Sequence, residues 1–90
     1  MSEFTKKQVH SGTLSDLNAV EISPSKGFKS FVVRNISSEY DQNILVSLDD
    51  TTYHEVPQNA ELDFPLHGDS LYVKTDTAGA KYNIIMDEFI

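Results

Sequence analysis

The sequence predicts an all-β domain: a small antiparallel β-sandwich, jelly-roll or immunoglobulin-like, built from seven or eight short strands. Three observations carry that expectation. Apolar residues alternate with a period of two and rarely repeat at 3.6. β-Branched and aromatic residues dominate the apolar stretches. Turn residues break the chain every ~8–12 positions, the spacing of a sandwich or small barrel.

Taken in order, "KKQVH" is a weak first strand, stopped by Ser11-Gly12. "NAVEIS" alternates with Val20 and Ile22 on one face, and "SPSKG" breaks it. "FKSFVVRNIS" is a strong strand, followed by the loop "SEYDQ". "ILVSLD" places Ile44, Val46 and Leu48 on one face. "DDTT" turns the chain, "YHEV" runs back, and Pro57-Gln58-Asn59 ends it. "ELDFPL" stops at His67-Gly68-Asp69, read as a turn with glycine at positive φ. "LYVKTD" points Leu71 and Val73 inward and Tyr72 and Lys74 outward. "TAGA" turns again before the last strand, "KYNIIMDEF".

Ninety residues make one domain, divided into an N-terminal arm with the first strands (residues 1–25) and a sandwich body (residues 26–90). A chain this short buries roughly 60–65% of its unfolded surface, so a lone copy is marginally stable. The formal charge is −7, and the seven basic residues are scattered without a stripe. Such a surface gives nucleic-acid phosphates little to meet and is repelled by an anionic membrane. The absence of cysteine excludes a disulfide framework and thiolate metal sites. "MSEFTKKQVH" has no apolar signal-peptide core, and no run approaches the roughly 20 apolar residues of a membrane helix. The expectation is therefore a protein made in the cytosol.

Two strands look apolar on both faces. In one, Phe28, Val32 and Ile36 oppose Phe31 and Val33; in the other, Tyr82, Ile84 and Met86 oppose Ile85 and Phe89. A sandwich strand has only one core face, so the second needs cover, either from a loop or from another subunit. The chain also closes on "EFI", whose Phe89 and Ile90 are expected to dock on their own chain or on a neighbour.

Three places in the sequence group residues that could carry chemistry. Asp49, Asp50, His54 and Glu55 are possible metal ligands. Strand alternation sends His54 and Glu55 to opposite faces, and Asp-Asp-Thr-Thr reads as turn chemistry. "LHGDS" offers His67, Asp69 and Ser70, but a run this short does not fold onto itself as a triad. Asp87-Glu88 are neighbours on opposite faces, unsuited to paired acid–base work. No catalytic residue, metal or cofactor is expected. The remaining ligand reading is a small carbohydrate- or receptor-binding module that uses Tyr40, Tyr53, Tyr72 or Tyr82 as stacking surfaces.

The stretch from Phe28 to Phe89 resembles small all-β virion proteins of tailed bacteriophages. The phrases that carry the likeness are Val33-Arg34-Asn35-Ile36-Ser37, "ILVSLDDTTY", the set Val56, Pro57, Glu61, Leu62 and Phe64, then "LYVKT" and "YNIIMDE". They cover about two-thirds of the chain and leave the first 25 residues out. The resemblance implies a structural, non-enzymatic role in a virion, after synthesis in the host cytoplasm. The roles implied are capsid decoration or cement (minor capsid) protein, head-fibre base or head–tail component. It also implies homo-oligomers, often trimers, that contact the major capsid or another virion protein. On that expectation Phe31, Leu45, Ile85, Phe89 and Ile90 bury apolar area between copies or against the shell, at about 25 cal/mol per Å². Ser2 to His10 would form an arm on a neighbour.

Overall fold

The computed structural model describes residues 4–90, and among them there are eight strands and no helix. They are β1 (Thr5–Leu14), β2 (Val20–Ile22), β3 (Phe28–Asn35), β4 (Ile44–Ser47), β5 (His54–Val56), β6 (Glu61–Phe64), β7 (Leu71–Thr75) and β8 (Ala80–Phe89). Two antiparallel four-stranded sheets result, ordered β1-β8-β3-β6 and β2-β7-β4-β5. The pairs are nested: β4 bonds β5, β3 bonds β6, β2 bonds β7 and β1 bonds β8. The Cα radius of gyration, 12.6 Å, matches the ~12 Å of one compact domain of this length.

The inner faces of both sheets supply one core. Alternation in β8 sends Ala80, Tyr82, Ile84 and Met86 inward, and in β7 Leu71 and Val73, as the period-two reading requires. Ile44, Val46 and Val56 meet them from β4 and β5. Three phenylalanines close one end of the core. Phe28 meets Phe31 edge-on at 5.5 Å, and Phe31 stacks on Phe64 at 5.0 Å.

The expected alternation does not hold through β3. Its register with β8 shifts between Phe28 and Ser30, a bulge that spends Lys29 as an extra residue. Phe28, Phe31 and Val33 therefore all point inward, and Val32 is the outward apolar residue. Phe31 is 3% exposed, so its place is the core and not an outer surface.

The first strand is also longer than its sequence suggests. β1 runs through Ser11 and Gly12 to Leu14, in unbroken register with β8. Gly12 is there for space: a Cβ would lie 3.0 Å from the Tyr82 hydroxyl. Thr5 to His10, expected in part to leave as an arm, pair with β8 of the same chain. Ser2, also assigned to that arm, lies outside the described residues. Gly68 is not a positive-φ turn residue either. It bridges Phe28 through two backbone hydrogen bonds, and the Phe28 ring would sit 3.2 Å from a Cβ. The left-handed positions are Gly27, Asp50, Asn59 and Gly79, all in turns.

Asn35 holds the loops at the opposite end. Its side chain is buried; Nδ2 donates to the Gln42 carbonyl at 2.8 Å and the Val56 carbonyl at 2.9 Å, and Oδ1 accepts from the Ser37 N–H at 3.0 Å. Removing it strands two buried acceptors. We expect Asn35→Ala to cost about 2–4 kcal/mol and Ile84→Ala about 2–5 kcal/mol, read as lower urea midpoints with an unchanged slope.

Candidate functional site

The outward residues of the first sheet form rows across its strands. Val9, Ile85, Val32 and Asp63 are successive register partners from β1 to β6. Val9 is 58% exposed, and Ile85 and Val32 are half-buried. Three apolar side chains thus lie side by side on the outer face of this sheet, the one at its edge well exposed. A shallow cavity of about 270 Å³, lined by Ser30, Phe31, Val32, Asp63, Phe64 and Pro65, adjoins the row at the β3–β6 side.

Polar rows bracket this stripe. On one side Lys7 Nζ lies 2.9 Å from Asp87 Oδ1, and Ser30 donates to Asp87 Oδ2 at 3.2 Å. The Lys7 bond, aided by Ser30, holds the Asp87 carboxyl below the usual range against the opposing effect of burial. On the other side run Ser11, Asn83, Arg34 and Glu61, with Arg34 Nε 3.0 Å from Glu61 Oε1. An apolar centre with a polar rim is the usual anatomy of a protein-binding surface.

The outer face of the second sheet differs. Leu45 is half-buried between Glu55 of β5 and Lys74 of β7, so no apolar row passes through it. Tyr53 and Tyr72 lie on this face, each engaged. Tyr53 donates to Asp50, and Lys74 Nζ sits 4.1 Å over its ring. Burial, then the bond and charge of Asp50, pushes the Tyr53 phenol up to about 12. Tyr72 donates to Glu21 at 3.4 Å, and the Glu21 charge followed by burial raises its pKa. Bonds from Ser70 and Ser23 keep Glu21 low. The other two tyrosines are elsewhere: Tyr82 is in the core, and Tyr40 is 85% exposed on a loop. The four tyrosines weighed as a stacking surface do not come together.

The acidic hairpin tip is a turn, as its sequence indicates. Asp49 Oδ1 accepts from the N–H groups of Thr51 and Thr52, both at 2.9 Å, and from the Ser47 hydroxyl at 2.8 Å. Ser47 Oγ accepts in return from the N–H groups of Asp49 and Asp50. Asp50 takes the left-handed conformation at φ 62°. His54 and Glu55 diverge as expected, with the His54 ring 5.9 Å from Phe64. Among the described residues no three His, Asp or Glu side chains converge in a metal-holding group. Of the residues in "LHGDS", Ser70 has its hydroxyl bonded to that of Ser23.

The chain end is tied down through its backbone. The Phe89 N–H donates to the Gly27 carbonyl at 3.1 Å, and the Ile90 N–H to the Phe4 carbonyl at 3.2 Å. Phe89 is half-buried, and the Ile90 side chain is 65% exposed. Of the five expected surface residues, Ile85 joins the stripe, while Phe31 is in the core and Leu45 is on the other sheet. Sequence reasoning missed Val9 and Val32. Val9 had a signal, as the lone large apolar residue among "KKQVHS"; Val32 was placed on an apolar face with Phe28, and the bulge that parts the two leaves no mark in composition.

The backbone N–H groups of Thr52 and Thr51, then the Ser47 hydroxyl, hold the Asp49 carboxyl well below its ordinary value. A carboxyl depressed by folding contributes stability above about pH 4, where the unfolded group is ionised, and loses it as pH falls through the folded value. Urea midpoints measured down from about pH 5 will therefore fall less steeply in Asp49→Asn than in the parent.

No protein-family model matches this sequence, and no curated protein matches it.

Proposed function

We propose that this chain is a non-enzymatic structural protein of a bacteriophage particle, a decoration or cement protein that acts by contact with its own copies and with the capsid shell. The observation that carries the reading is the Val9–Ile85–Val32 stripe with its polar rim, a surface suited to burial against another protein. The resemblance of its strand phrases to those of small virion proteins supports it as well. The nested pairing of the eight strands is that of a chain rolled up as one long hairpin. We read this as a jelly roll, an architecture that serves viral capsid proteins and lectins alike. Architecture alone does not choose between those roles, and the stripe is the feature that favours the first.

A second reading, a sugar- or receptor-binding module, draws on Tyr53 and Tyr72, which share the outer face of the second sheet. The Lys74 ammonium over the Tyr53 ring occupies the surface a sugar would stack on.

The test uses particles of the phage whose genome encodes the chain. Mass spectrometry of purified virions is expected to find it. Added protein is expected to co-sediment with particles lacking it, and Ile85→Asp to weaken that binding about tenfold or more by placing a charge in a buried contact. Absence from the virion, with full recovery in the supernatant, overturns the proposal. Hits on a glycan array would move it to the second reading.

A further inference from the structure

Four strands lie at sheet edges. Three are short: β2 and β5 have three residues and β6 has four. The fourth, β1, has ten residues, no proline and an unbroken register with β8. Long regular edges are templates for another strand, and proteins usually blunt them.

The side of β1 that faces outward can be read from its hydrogen bonds. The Ile90 N–H bonds the Phe4 carbonyl across the ladder. Antiparallel ladders alternate, so the even-numbered residues of β1 bond to β8. Thr5, Lys7, Val9, Ser11 and Thr13 then turn their N–H and C=O groups to the free edge. The bond from Phe89 N–H to Gly27, on the opposite side of β8, has the matching parity.

We infer that two copies of this chain pair antiparallel through β1 about a two-fold axis at Val9, fusing their first sheets into one continuous sheet. The inference rests on the self-association in the proposed function and not on the particle. The register follows from two independent features. Centring on Val9 pairs every outward residue, Thr5 with Thr13, Lys7 with Ser11, and Val9 with itself, for roughly ten cross-strand bonds. Centring one residue either way leaves roughly eight. The same centre sets Val9 against Val9, so the stripe runs unbroken from Val32 of one copy to Val32 of the other.

Charge agrees with this register. The lysines that guard the edge do not meet: Lys7 faces Ser11 of the second copy, and Lys6 faces Gly12. Lys7 already has a partner in Asp87. Its counterpart from the second copy enters the row of Asn83, whose Oδ1 is buried without a hydrogen-bond partner among the described residues. The interface is isologous, which closes the assembly at two copies instead of propagating a fibre.

Light scattering from about 1 µM to about 1 mM is expected to show a rise to twice the 10.1 kDa chain mass. Hydrogen exchange gives a second, residue-level readout. The N–H groups of Thr5, Lys7, Val9, Ser11 and Thr13 should gain protection as the dimer forms, while the even-numbered ones are protected throughout. Val9→Lys sets like charges face to face, and Ser11→Pro removes an N–H that the single chain leaves unbonded to β8. Each is expected to raise the dissociation constant about tenfold or more, with the circular dichroism spectrum unchanged. A chain still monomeric at about 1 mM, or an oligomer indifferent to both variants with those five N–H groups exchanging freely, overturns the inference. Running the same samples with particles separates the two proposals. A dimer that ignores particles removes the virion reading and leaves the pairing, and a monomer that binds them does the reverse.

Discussion

β8 is hydrogen-bonded along both edges, to β1 and to β3, and the rest of the molecule is referred to it. Its period-two alternation decides which side of the sheet is core for both neighbours. Ile84 and Met86 reach the second sheet because Ile85 and Asp87 face away. A slip of one residue would exchange the core for the rim. The bulge at Lys29 is where β3 adjusts to that demand: one residue is looped out so that Phe28 and Phe31 can both face the core.

Much of this was legible in the residues, and what was not has identifiable causes. β7 and β8 alternate cleanly, so their inward and outward sets follow from the sequence. β3 misled because a bulge changes parity without changing composition. β1 misled because an edge strand needs only one good face, and its ladder depends on β8 more than on its own side chains. Gly12 and Gly68 looked like turn signals, yet each makes room for an aromatic side chain. A glycine that permits close approach and one that permits positive φ are indistinguishable in a single sequence. The Asn35 network was also hidden, since a buried amide reads like any polar residue near a loop.

The two outer faces divide polar and apolar work differently. On the second sheet, hydroxyls, carboxylates and an ammonium satisfy one another locally, as between Tyr53, Asp50 and Lys74. That face is complete in water. On the first sheet the charges pair above and below the stripe, and the apolar centre between them is partly exposed. The net charge of −7 opposes indiscriminate sticking between copies, so only a geometry with good local complementarity gains enough to overcome it.

The nested pairing also constrains how the chain can fold. β4 and β5 are joined by a short turn and close cheaply, while β1 and β8 lie at opposite ends of the sequence. Each inner pair brings the strands outside it closer together. The entropy of closing the outermost ladder is therefore smallest once the inner three have formed. A chain emerging from the ribosome can begin at the β4–β5 hairpin, but β1 has no partner until the last strand is released. Its edge-forming sequence must wait, with Lys6 and Lys7 as its protection against wrong partners in the interval.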